Sequence, residues 1–171
     1  MKPGDHPEFF RFPPPEGRSR ESDIVLTRAG RFFHEGAPVE HPGMKKAFAA
    51  WLTRHPDDGR FILSNGYDWT YLTVEGPHLF VEAVRARAGH PELVLLDGRE
   101  LGLDPATLSC DANGQLWALL PEGEKACFAP AAQLELSPWL SEQKGVVGVQ
   151  IEGHFSPIVG AEPAQLGRPQ P

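Results

Sequence analysis

Five Gly-ended pairs punctuate this chain: Ala29-Gly30, Asn65-Gly66, Asp97-Gly98, Asn113-Gly114 and Glu122-Gly123. Asn-Gly and Asp-Gly accept the positive φ of a two-residue hairpin turn, so each such pair flanked by apolar residues reads as a hairpin tip. With 18 Gly and 18 Pro, the segments between tips are short, which favours many turns over long helices. "DIVLTRAGRFFHEG", "GRFILSNGYDWTYLTVEG" and "ELVLLDGRELGL" each read as paired strands. "TLSCDANGQLWALLPEGEKACFA" holds up to three more, and "GVVGVQIEGHF" a last strand interrupted by Gly148. "LFVEAV" reads as a strand, because Phe80, Val81 and Val84 are aromatic or β-branched. "PAAQLELSPWL" has room for a short helical turn.

One stretch carries a helical period. In "EHPGMKKAFAAWLTRHP", Met44, Ala47, Phe48, Trp51 and Leu52 form one apolar stripe. Pro42 suits the first turn, Arg54 and His55 the last, and Pro56 a stop. Strands, one main helix, then more strands predict an α+β fold with a twisted, mainly antiparallel sheet.

Residues 1–22 read as an extended Pro/Phe-rich arm, with Pro13 to Pro15 favouring polyproline II. Phe9, Phe10 and Phe12 in that arm either pack on the body or meet a protein partner. Residues 23–90 form a first half (hairpin, helix, aromatic hairpin), residues 91–159 a second half that is all-β or nearly so, and residues 160–171 a mobile tail. The halves rhyme: "VLTRAGRFFHEG" is echoed by "VLLDGRELGLDP", as if the second repeated the hairpins of the first without its helix. A cleft is expected between such units.

The formal charge of −7 speaks against nucleic acid and against an anionic membrane surface as partners. "MKPGDHPEFF" has no apolar run of a secretory leader, and no segment is apolar for the length of a bilayer. A cytoplasmic address follows as the expectation. Cys110 and Cys127, in "TLSCD" and "KACFA", fit buried reduced thiols there.

Motifs that carry chemistry are missing. The sequence has no phosphate-cradling Gly-rich loop, no Gly-x-Ser-x-Gly elbow, no Cys-x-x-Cys and no helical His-x-x-x-His. No catalytic residue, metal ligand or cofactor site is therefore assigned, and the chain is read as a non-enzyme. His6, His41, His55 and His90 each precede Pro and suit turns or helix starts. Asp57 and Asp58 suit a turn closed by Gly59.

The aromatic hairpin is the strongest candidate site. A two-residue turn at Asn65-Gly66 would pair Ser64 with Tyr67 and Ile62 with Trp69, and set Tyr71 opposite Arg60. Ile62, Tyr67, Trp69 and Tyr71 then share one face, and Phe61, Leu63, Leu72 and Val74 the other. The aliphatic face suits the helix. The aromatic face needs the second half, the arm or a ligand, and Tyr and Trp favour half-wet sites.

"TRAGRFFHEGAPVEHPGMKKAFAAWL" and "YLTVEGPHLFVEAV" resemble a bacterial family, domain of unknown function 1285, over roughly Ile24 to Leu140. Gly76-Pro77-His78-Leu79-Phe80 stands where that family usually has an Asp-Ala-Pro-Phe-like run. The resemblance implies a duplicated α+β core, a second half like a pleckstrin-homology barrel, and a groove between the halves. It also implies a small, nucleotide-like ligand and a part in signalling. On that reading Tyr67, Trp69 and Tyr71 stack on the ligand, Arg28, Arg31 or Arg60 meets its anionic group, and His78 lies in the departing loop. The alternative is a protein-interaction module without a small ligand, using the arm or the aromatic face.

Overall fold

Glycine turns do set the element lengths. The computed structural model describes residues 1–161. Strands β1 (Val25–Leu26), β2 (Phe32–His34) and β3 (Ala37–Pro38) lead into α1 (Pro42–Trp51). Then come β4 (Leu52–Arg54), β5 (Phe61–Ser64), β6 (Trp69–Tyr71), β7 (Thr73–Val74) and β8 (Phe80–Arg87). Next are β9 (His90–Leu95), β10 (Glu100–Gly102), β11 (Leu108–Cys110), β12 (Leu116–Leu119) and β13 (Lys125–Phe128). The chain continues through α2 (Pro130–Glu135), β14 (Leu140–Gln143), β15 (Val146–Ile151) and β16 (His154–Pro157). The fold is α+β and mainly antiparallel, with β1–β7 and β8–β13 as parallel pairs.

Two compact units divide these elements. The first is Met1–His78 with Leu96–Gly98, and the second is Leu79–Leu95 with the chain from Arg99 on. In the first, β3-β2-β1-β7 form one sheet and β4-β5-β6 another. In the second, β10-β9-β8-β13-β12-β11 form a six-stranded sheet and β14-β15-β16 a smaller one. The six strands do not close on themselves, so the likeness to a pleckstrin-homology barrel stops at an open sheet. Aliphatic side chains of β8, β9, β11 to β13 and β15, with Leu136 after α2, build one buried cluster there. Cys110 and Cys127 are buried free thiols, and burial pushes Cys127 up to about 12. Of the tail expected at 160–171, residues 162–171 lie outside the described residues. No helix among those described is long and apolar enough to cross a membrane.

Two expectations need correction. The helix stops at Trp51, before Leu52, Arg54 and His55. Leu52 to Arg54 turn extended and pair with Leu63 to Phe61, so ladder bonds to β5 replace one more helical turn. The stripe is also half-wet, with Met44 48% and Trp51 37% exposed, while Phe48 packs edge-on against Phe32 at 5.5 Å. His41 does start the helix, its Nδ1 accepting from the Met44 N–H at 3.3 Å.

The aromatic hairpin is slipped by two residues. Ser64 pairs with Trp69 and Ile62 with Tyr71, leaving Asn65 to Asp68 as the loop. The Asn65 side-chain oxygen accepts from the N–H groups of Tyr67 and Asp68, both at 2.8 Å, which builds an Asn-centred loop in place of the tight turn. A slip of two keeps each side chain on its face. Ile62, Trp69 and Tyr71 still share one, but Tyr67 is lifted out onto the loop, 66% exposed.

Candidate functional site

The turn from β4 to β5 places His55 beneath the aromatic face. Gly59 N–H closes that turn on the His55 carbonyl at 2.9 Å. His55 is only 7% exposed, with its ring 5.0 Å from Trp69, 5.7 Å from Tyr71 and 5.9 Å from Phe10. Its Nδ1 accepts from the Asp57 N–H at 3.2 Å. The other nitrogen therefore carries the proton, and Nε2–H donates to the Phe10 carbonyl at 3.3 Å. One imidazole thus ties the arm to the turn.

Trp69 is the centre of this box, at 6% exposed. Tyr71 meets it edge-on at 5.1 Å and Phe10 lies 6.0 Å away. The Arg20 guanidinium sits 4.5 Å from the ring and donates to the Asp68 carboxylate at 2.7 Å and the Trp69 carbonyl at 2.9 Å. The Trp69 indole N–H is buried and meets no acceptor among the described residues. The end of the arm runs beside β6, where Tyr71 N–H donates to the Arg20 carbonyl at 2.7 Å.

At the rim, charges pair off. Arg11 donates twice to Asp57, at 3.1 and 3.0 Å. Tyr71 Oη–H donates to Asp58 at 2.6 Å, and Arg60 lies 3.7 Å from the Tyr71 ring while forking onto Glu21 at 2.8 Å twice. The bonds from Arg11, Tyr71 and Arg60 hold Asp57, Asp58 and Glu21 below the usual carboxylate range. Burial pushes Asp68 up, but the bonds from Arg20 and the Trp69 N–H outweigh it and leave it lowered. Burial, then the Asp58 bond, raise Tyr71.

Of the residues named from sequence, Trp69, Tyr71 and Arg60 come together. Tyr67 stands apart on the loop with Lys2 5.5 Å from its ring. Arg31 stacks over Phe33 at 5.5 Å, and Arg28 lies against Gly76. His78 packs 5.2 Å from Phe61, whose ring also carries Arg54 at 3.9 Å. Of the arm's phenylalanines, Phe10 packs on the body and Phe9 on Phe10, while Phe12 stays exposed. His55, Arg20, Asp57 and Asp58 join the box without a local signal, since the arm that buries His55 lies some 45 positions away. Among the described residues, no three His, Cys, Asp or Glu side chains are arranged to hold a metal ion.

No family model matches the sequence, and no curated protein matches it. Two solved structures do. One is a DUF1285 family protein from Silicibacter pomeroyi DSS-3, with TM-score 0.57 and 19% identity over 86% of this chain and 84% of that one. The other is a DUF1285 family protein from Shewanella baltica OS155, with TM-score 0.46 and 16% identity over 64% of this chain and 86% of that one. The fold is DUF1285-like, and the likeness is one of fold.

Proposed function

We propose that this chain is a non-enzymatic regulatory module that works by protein interaction, through the aromatic box and the arm laid across it. One observation carries the reading. The two box rings that a nucleotide base would stack on are already capped by arginines of the same chain, Arg20 on the buried Trp69 and Arg60 on Tyr71, while Tyr67 stands outside the box. A stacking platform needs an open face.

The site's charges support a module without chemistry of its own. A general acid at neutral pH needs a raised carboxyl. Among the described residues, the carboxyls with a clear shift, in the box and beyond it, are all lowered. Burial raises both thiols away from the nucleophilic thiolate. Reduced buried thiols are also what a cytoplasmic protein keeps.

Thermal unfolding in the presence of mono-, di- and cyclic nucleotides tests this, because a ligand of the native state raises its melting temperature. We expect no shift, and no movement of the Trp69 indole N–H signal by NMR. A nucleotide that stabilises the chain, and does so less in Trp69→Ala, would return the small-ligand reading.

A further inference from the structure

Resting on that interaction reading, we infer that the box is a receptor for aromatic–arginine segments of a partner protein, and that Phe10-Arg11 of the arm occupies it as an internal stand-in. The arm is read through three kinds of contact at once. The Phe10 ring packs against both His55 and Trp69, which touch each other. Its main-chain carbonyl accepts from His55. The next side chain, Arg11, forks onto Asp57. A ring, a backbone carbonyl and a guanidinium in sequence are properties of any Phe-Arg peptide, and nothing in these contacts requires that it be covalently joined.

Charge selects the occupant. The turn brings Asp57 and Asp58 to one rim, so an arginine after the aromatic residue is matched and an acidic residue is repelled. The arm is also held lightly at this point. Arg11 and Asp57 are each about half exposed, at 56% and 43%. Phe12, Pro13 and Pro15 are exposed, and a Gly17 turn at φ 76° precedes the Arg20 anchor.

The stand-in is imperfect. Among the described residues, the Trp69 indole N–H and Arg20 Nε are buried without acceptors. A buried donor left unmet is costly. A segment that adds a side-chain oxygen to the Phe-Arg pair gains where the arm gains nothing, and displaces it.

A second contact supplies the means of opening the box without altering it. Gly4 N–H donates to the Gly66 carbonyl at 2.9 Å. A Cβ on Gly4 would lie 2.8 Å from Gly66 Cα, backbone against backbone. Gly4→Ala therefore pushes the arm off the hairpin loop, and Phe10→Ala with Arg11→Ala empties the seat itself.

The experiment titrates the full-length chain and both released variants with a peptide of the sequence HPEFFRFPPP. A control peptide has Ala at the second Phe and at Arg. The Trp69 indole signal, assigned by Trp69→Phe, reports the box. We expect it to move in the released variants, the peptide to bind these about tenfold more tightly than the parent, and Asp57→Ala in a released variant to weaken binding about tenfold. The control peptide should not bind. If the indole moves and neither released chain takes the peptide better than the control, the receptor inference is overturned while the arm-and-box reading stands. If the indole moves in neither variant, that underlying reading falls. A parent chain that dimerises by exchanging arms would make a second copy the occupant, and would also overturn the inference.

Discussion

The two units share a backbone grammar of short hairpins and are held together differently. The second is a mainly aliphatic core: sixteen of the described residues, from Val81 to Ile158, pack as one cluster around β8, β9 and β11 to β13. The first has a smaller core, chiefly Leu26, Phe32, Ile62 and Leu63. It adds cation-capped rings and rim ion pairs, and its helix buries no residue fully. Apolar burial is non-directional and roughly proportional to area. Stacks and exposed ion pairs are directional, weak singly and screened by salt. The difference separates a unit built to persist from one whose covering segment can be exchanged.

The largest effect should come from the aliphatic side. Phe128 is 1% exposed at the parallel junction of β13 with β8. Phe128→Ala removes a ring that the packed cluster cannot refill, at about 3–5 kcal/mol. Urea unfolding should show that loss in the second unit's transition. A loss below about 1 kcal/mol would mean that the cluster is loosely packed and the contrast between the units is overstated.

Next in size is a glycine that the sequence suggested as an interruption. Gly148 lies inside β15, paired with Ser141 on one side and Pro157 on the other. A Cβ there would fall 2.3 Å from the Ser156 carbonyl oxygen and 2.7 Å from the Phe155 ring. The glycine therefore permits a close approach and does not break the strand. Gly148→Ala should cost about 1–3 kcal/mol by overpacking. Gly102, where a Cβ meets nothing, is the control, and its Ala variant should unfold at nearly the parent's denaturant concentration.

What was legible in the sequence follows the same division. The hairpins at Ala29-Gly30, Asp97-Gly98, Asn113-Gly114 and Glu122-Gly123 all form, because local turn chemistry and the flanking apolar runs agree. The hairpin at Asn65-Gly66 forms in another register, because the Asn65 side chain competes for the same N–H groups as the backbone. The helical stripe reads through Leu52, yet a ladder to β5 claims that residue, and periodicity alone carries no information on ladders. In the box, the alternation of Trp69 and Tyr71 survives the slip because the shift is even. His55 was legible only as a turn residue. Its burial depends on Phe10, and a contact across 45 positions leaves no pattern in either segment.

The smallest effect is the one most specific to the first unit. Asp57, Asp58 and Glu21 are held below their ordinary values of 3.8, 3.8 and 4.5 by Arg11, Tyr71 and Arg60. A carboxyl lowered in the folded state stabilises it above the unfolded value, and that contribution fades as pH falls through the folded one. Below about pH 4 the arm should therefore loosen, and the Trp69 indole signal should shift, before the second unit's core responds. Tyr71→Phe sharpens the point. It removes the phenol that is the leading cause of the Asp58 shift, so the Asp58 carboxyl should titrate higher, while Asp57, held first by Arg11, should not move with it. Carboxyl carbon chemical shifts followed through an acid titration distinguish the two. If both carboxyls moved together, Asp57 and Asp58 would be coupled as a pair, and the rim would answer to acid as one site instead of two independent latches.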